Sequence, residues 1–307
     1  MKLVGTTNKQ ISCIWTTIGK AIEELGNILK LETVIYDRED FLQGRIQPTQ
    51  DEVLFIFEAG TPQHAGYTMA KMKWYYPNST FIALSSDAII YKEELGYDQL
   101  DYNYVDILLD VEDKALDYVT SKYRSVIGEK WLWTASRWLL REAEDFVLKH
   151  KFARDLDFIC VAILSGEYRQ NLRKHLEVAG YKFSNGGGCG HEDNDLHRLF
   201  SHYTRAKWTL GTTSHNNPKI RGMKGFRDWI GPKLGAPLIY DDYPQVMGAY
   251  GMVVPYYDYN DFSSITRFVD SISDEERRNI SINQCLWIQN NTIEDQLFRV
   301  IKKHGIL

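Results

Sequence analysis

This 307-residue chain has no apolar run of about eighteen residues and no secretory hydrophobic region, so neither a membrane-spanning helix nor an exported precursor is expected. It has four cysteines, Cys13, Cys160, Cys189 and Cys285, scattered without a CxxC pair. That spacing argues against a disulfide scaffold and points to a reducing cytoplasm. There is no GxGxxG and no Walker pattern, which counts against dinucleotide-cofactor and P-loop readings. No fixed-period repeat and no low-complexity tract occurs. Charge of one sign is also lacking: 36 Lys plus Arg stand against 41 Asp plus Glu, a net charge of −5. A global attraction to nucleic acid or to an acidic membrane is therefore not expected, and any polyanion must meet a local patch such as Lys71-Met72-Lys73 or Lys219 to Lys224.

What the chain does have is core-forming material, with 44% apolar and 13% aromatic residues. Apolar runs of strand length recur at Lys2 to Thr7, Glu32 to Asp37, Val53 to Ala59, Thr80 to Ser86 and Asp106 to Val111. Helix-like segments separate them, at Thr16 to Leu29, Ala65 to Lys73 and Lys114 to Tyr123. Runs that are apolar throughout, rather than alternating, predict strands buried on both faces of a parallel sheet. A helix is predicted over Trp131 to His150, ending in a charged hinge, KHKFARDLD. The rhythm then restarts with Phe158 to Leu164, a helix over Tyr168 to Ala179, a glycine-rich loop, a helix over Asp193 to Tyr203, and strands over Lys207 to Thr213 and Met252 to Asp258. Three closing helices are expected over Phe262 to Ser273, Asp274 to Asn290 and Thr292 to His304, with Asp274 and Thr292 as N-caps. The fold class is α/β, with two Rossmann-like halves facing across a cleft, where ligands gather at the carboxyl ends of strands.

The most informative stretch is KIRGMKGFRDWIGPKLGAPLIYDD, Lys219 to Asp242. Met223, Phe226 and Ile230 mark a packing face, whereas Arg221, Lys224, Arg227 and Asp228 form a charged stripe suited to a diphosphate or simply to solvent. Pro232 is expected to stop the helix near Gly231, and Gly235 to take a positive φ before the strand Ala236 to Tyr240. In FICVAILSGEYRQNLR a strand ends at Ser165-Gly166 and a helix begins near Tyr168, so Arg169 and Arg173 fall one turn apart; this is either a phosphate-binding turn or an ordinary strand-to-helix turn. Asp87 in TFIALSSDAII stands just past a buried strand, as a general base or as a helix cap. His215 follows another strand end and could touch a phosphate or sugar. Cys189, His191, His197 and His202 fit no standard zinc spacing, so no metal site is assigned.

Those residues carry a resemblance. The second half is similar to the nucleotide-binding domain of GT-B glycosyltransferases, the CgeB-like group above all, in which a basic residue precedes an R-x-F-E helix, a Gly-Ala turn, an apolar strand and an acidic pair. Here the positions read Lys224, Arg227 to Ile230, Gly235-Ala236, Pro237 to Tyr240 and Asp241-Asp242. One position departs: the family acid that holds the nucleotide ribose falls on Ile230. TFIALSSDAII and SGEYRQNLR also resemble segments of phage DNA glucosyltransferases, and the chain's end is similar to the family tail, whose last helix crosses back onto the first domain.

The resemblance implies residues 1–150 plus 292–307 as the acceptor domain and 151–291 as the nucleotide-sugar domain. It implies a metal-independent, inverting transfer from a UDP-sugar, without a further cofactor. The acceptor hydroxyl would belong to a hydroxymethylated pyrimidine of double-stranded phage DNA, in the host cytoplasm, or else to a surface glycan or protein. Asp87 would be the base, while Ser165, Gly166, Arg169, His215, Lys224, Arg227 and Asp228 would hold the donor. A non-catalytic nucleotide-sugar-binding module is the alternative that the Ile230 departure leaves open.

Overall fold

The computed structural model describes residues 1–7, 13–59, 68–85, 101–160, 167–185, 196–212, 229–242, 247–248 and 250–307. They form two compact units, Met1–Ser136 with Ile293–Leu307, and Arg137–Thr292.

In chain order the first unit contains β1 (Lys2–Thr7), α1 (Cys13–Leu29), β2 (Glu32–Asp37), α2 (Arg38–Leu42), β3 (Val53–Glu58), α3 (Met69–Tyr75), β4 (Ser79–Leu84), β5 (Ile107–Asp110), α4 (Asp113–Lys122) and β6 (Ile127–Lys130). The second contains α5 (Arg137–Lys149), β7 (Leu156–Ile159), α6 (Glu167–Val178), β8 (Phe183–Ser184), α7 (Leu196–Arg205), β9 (Ala206–Leu210), α8 (Ile230–Lys233), β10 (Leu238–Asp241), β11 (Tyr256–Tyr257), α9 (Ser263–Ser271) and α10 (Asp274–Gln289). The chain then returns to the first unit as α11 (Ile293–Lys303).

Both sheets are parallel throughout the described residues, in the orders β2-β1-β3-β4-β5-β6 and β11-β10-β9-β7-β8. The first five predicted strands match β1 to β5 within a residue or two; β1, β3, β4 and β5 are buried along nearly their whole length, as their apolar runs require, whereas β2, at the sheet edge, has no fully buried residue. Every residue of β3 is buried, for example, and Phe55 lies 5.3 Å from Phe81 of the neighbouring strand in a core with Met72 and Tyr76. The short α2 and β6 carry no comparable apolar run and were not anticipated.

Several local expectations are corrected. The helix predicted from Trp131 begins only at Arg137. Before it, the Trp131 N–H extends the β5 ladder to the Asp110 carbonyl (3.0 Å), and Leu132 exchanges both backbone bonds with the Gln296 side chain of α11. The units accordingly divide at Ser136, not at residue 150, because α5 buries Leu139, Leu140, Ala143 and Phe146 against α7 and α8 of the second unit. Pro232 is the third residue of α8, which ends at Lys233, close to the stop expected near Gly231; the earlier part of the expected helix lies outside the described residues. Met252 to Asp258 holds a 3₁₀ turn over Gly251–Val253, with Gly251 at φ 56°, before the two-residue β11.

Ser273, rather than Asp274, caps α10. Its hydroxyl accepts the Glu276 N–H (3.2 Å) while the Glu276 carboxylate accepts the Ser273 N–H (2.8 Å), a reciprocal capping box. Gly235 has φ 79°, as the Gly-Ala turn requires. The last helix joins the first unit: α11 packs against α1 and buries Leu297, Val300 and Ile301. Lys303 and His304 at its end both reach Glu129 of β6 at 2.7 Å.

Candidate functional site

In a doubly wound sheet the ligand crevice opens at the carboxyl edge, where neighbouring strands leave in opposite directions. For the second sheet that point lies between β7 and β9. Beyond β7 stands Cys160, beyond β9 stand Gly211 and Thr212, and α6 starts beside them at Glu167. Arg169 is the third residue of α6. Its Nε donates to Thr212 Oγ1 (2.8 Å) and its Nη2 to the Thr212 carbonyl (3.5 Å). A guanidinium in a first helical turn sits at the positive end of the macrodipole, where an anion is favoured and a cation is not. Thr212 fixes that cation against the switch point, and backbone N–H groups at the same helix end are oriented for an anion.

A tyrosine cluster backs this corner. Tyr168 Oη donates to Tyr257 Oη (3.3 Å), which donates to the Gly211 carbonyl (3.4 Å). The Tyr168 ring stacks on Tyr259, with centroids 4.3 Å apart and planes 10° from parallel. Burial, then the neighbouring Tyr168, pushes the Tyr257 phenol well above its ordinary range, so it remains a neutral donor. Asp241-Asp242 close β10 as expected of a strand end: Asp241 is fully buried, and Asp242 accepts the Tyr259 N–H (2.8 Å).

Gly211 tolerates no side chain here. A Cβ would lie 2.3 Å from Cε2 of Tyr240, a ring with no exposed surface and no room to yield. Gly211→Ala is therefore expected to cost about 1–3 kcal/mol through overpacking, read as a lower urea midpoint at unchanged slope. A midpoint equal to that of the native chain would contradict this packing.

Of the residues assigned from the sequence, Arg169 is described and stands at the switch point. Ser165, Gly166, His215, Lys224, Arg227, Asp228 and Asp87 lie outside the described residues. The backbone two residues before Asp87 is fixed at the carboxyl end of β4: the Ser85 N–H bonds to Leu109 O (2.8 Å), and Trp133 Nε1 donates to Ser85 O (2.5 Å). Arg173 does not join Arg169; it is exposed and pairs with Glu177 along the helix (2.8 Å). Ile230, which stands where the family acid would be, is a core side chain at 1% exposure, next to Trp229 stacked on Trp287. His197 packs edge-on against Phe146, and among the described residues no three His, Cys, Asp or Glu side chains are grouped to hold a metal ion. No helix among them is long and apolar enough to cross a membrane. Sequence reasoning missed Tyr168, Thr212 and Tyr257 as members of this corner; the aromatic run before Asp258 and the threonine after β9 were the available signals.

The carboxyl edge of the first sheet also carries buried acids, Glu58, Asp110 and Glu112. Burial, then the charge of Asp110, raises the Glu112 carboxyl to about 7, with Lys114 acting in the opposite sense, and Glu112 Oε1 has no hydrogen-bond partner among the described residues. A carboxyl raised in the folded state binds its proton more tightly there, so it weakens the fold as pH rises from the ordinary 4.5 to about 7 and continues to do so above. Glu112→Gln is thus expected to be more stable than the native chain at pH 8, by about 1–3 kcal/mol. The advantage should fade below pH 7 and vanish near 4.5. A constant difference in melting temperature across that range would contradict the buried charge.

No protein-family model and no curated protein matches the chain. Solved structures do. A trehalose-6-phosphate synthase studied for enzymatic glycosyl transfer with retention matches at TM-score 0.55 and 10% identity, over 100% of this chain and 99% of that one. Anabaena Alr3699/HepE, solved with UDP and glucose, matches at TM-score 0.55 and 7% identity over the whole of both chains. A DNA-modifying β-glucosyltransferase, solved with and without uridine diphosphoglucose, matches at TM-score 0.50 and 10% identity, over 97% and 98%. The chain therefore has the GT-B fold: two parallel α/β units, with the C-terminal helix returned to the first.

Proposed function

We propose that the chain is a glycosyltransferase that moves a sugar from a UDP-sugar to an acceptor hydroxyl. The observation that carries this reading is Arg169, a guanidinium fixed by Thr212 at the β7/β9 switch point and at a helix N-terminus, within a GT-B fold. Such a cation neutralises charge that develops on a departing diphosphate. The names of the structural neighbours support the donor class, since two were solved with UDP or uridine diphosphoglucose. Ser165, Gly166, His215, Lys224, Arg227 and Asp228 are proposed to complete the donor site, and no metal or further cofactor is assigned to it.

Asp87 is proposed as the base that takes the acceptor proton, giving inversion at the sugar carbon. One GT-B neighbour is named for transfer with retention, so the fold leaves the stereochemical outcome to the residues themselves. The preferred acceptor is a hydroxymethylated pyrimidine in double-stranded DNA; support comes from the resemblance around Asp87 and from the DNA-modifying neighbour. A glycan or protein acceptor is the alternative within the class. Burial of Ile230 favours a second reading, a nucleotide-sugar-binding module, because the usual ribose ligand is replaced by a core residue.

Calorimetric titration with UDP, AMP and GMP tests the donor site. Saturable binding selective for UDP is expected, and equal or absent binding of all three would refute the donor assignment. The anomeric configuration of the product, read by proton NMR, tests the inverting step.

A further inference from the structure

At the opposite, amino-terminal edge of the second sheet is a cavity of about 850 Å³ between α5, α10 and the α8 turn. Its volume falls in the range of small-molecule sites, roughly 300–1,000 Å³. Its charge is unlike that of the chain as a whole. Arg154, Lys207, Lys233, Arg277 and Arg278 line it against two carboxylates, Glu144 and Asp274, in a protein whose net charge is −5.

Two of these cations are set into the floor. Arg277 is 7% exposed and bonds to Asp274 (3.1 Å) and to the Gly235 carbonyl (3.4 Å). Arg154 is half-buried and donates to the carbonyls of Ala206 and Leu234. Burial, then the positive charge of Arg277, lowers the Arg154 guanidinium to about 10, which places the two like charges in each other's field. Lys233 is balanced by Glu144 (2.9 Å) and Lys207 by Asp157 (2.9 Å). Arg278 is exposed at the rim and has no ion-pair or hydrogen-bond partner among the described residues.

The walls are aliphatic. Val147 and Leu148 on α5 are 42% and 79% exposed, and Ile282 and Leu286 on α10 are 56% and 55% exposed. No aromatic ring lines the cavity among the described residues, so it offers no stacking surface for a nucleotide base. Cations on the floor relieve their repulsion with an anion, and open aliphatic walls gain by covering a hydrocarbon.

We propose that this cavity binds a single-chain anionic amphiphile, with a phosphate or carboxylate head on Arg154, Arg277 and Arg278 and an aliphatic tail along Leu148, Ile282 and Leu286. The site is separate from the donor corner, which lies at the other end of the same strands, and the proposal does not depend on the glycosyltransferase reading.

The test is calorimetric titration with dodecyl phosphate below its micelle concentration, with inorganic phosphate and dodecyl maltoside as single-feature probes. Dodecyl phosphate is expected to bind about tenfold or more tightly than either. Arg278→Glu and Ile282→Glu, both at exposed positions, should each weaken it by about tenfold, while Arg173→Glu on α6 should leave it unchanged. Sedimentation with phosphatidylglycerol vesicles separates the two sources of such a head group: capture that Arg278→Glu abolishes assigns a lipid surface, and dodecyl phosphate binding without capture assigns a free amphiphile. The proposal is overturned if dodecyl phosphate does not bind, or if both variants bind it like the native chain.

Discussion

Asp87→Asn should reduce sugar transfer by about 10²–10⁴-fold while leaving the affinity for UDP unchanged. The amide keeps the size and hydrogen-bonding reach of the carboxylate but cannot accept the acceptor's proton. Because the strand before it is pinned at Ser85 by the Leu109 carbonyl and the Trp133 indole, the substitution should not disturb the sheet. Initial rates of UDP release with acceptor present, beside a UDP titration of the same protein, check both halves. Undiminished transfer would remove Asp87 from the role of base. Parallel loss of binding and transfer would make it a donor ligand instead.

Arg169→Ala should act on the other substrate. A hydrogen bond to a charged group is worth about 1.5–3 kcal/mol, so losing the guanidinium from a diphosphate should weaken UDP binding by about 10- to 150-fold. Arg169 is half-buried in the first turn of α6 and bonds to Thr212, so a melting curve beside each titration separates loss of the diphosphate contact from loss of fold. Arg169→Lys separates charge from geometry: a lysine restores the charge but not the planar fork, and it should recover only part of the affinity. Unchanged UDP affinity in Arg169→Ala would detach this corner from the diphosphate.

How legible these features were depends on the range of the contacts that create them. β1, β3, β4 and β5 could be read because both-face burial writes a continuous apolar run into the local sequence, and the edge strand β2 because Thr33 to Tyr36 are β-branched or aromatic. Gly235 could be read because a turn of positive φ selects glycine, and its φ is 79°. The start of α5 could not. Trp131 to Ser136 carries helix-compatible residues, yet its backbone is claimed by Asp110 and by Gln296, a residue 164 positions from Leu132. The same limit applies at the candidate site. Arg169 could be singled out as a basic residue opening a helix after a strand. Its partner Thr212 is 43 residues away, and Tyr168 meets Tyr257 across 89 residues, pairings that no local pattern encodes. Pro232 could be read as well, since its ring and missing N–H limit how far a helix can continue, and α8 ends one residue later, at Lys233.

The most direct test of the central claim is incubation of the protein with labelled UDP-glucose and related UDP-sugars, with and without DNA containing hydroxymethylcytosine, following both released UDP and label on the DNA. Acceptor-dependent UDP release is expected, with label transferred to the modified DNA. UDP release that depends on a glycan or protein acceptor instead would keep the transferase and change its substrate. No binding and no turnover of any UDP-sugar would refute the transferase assignment.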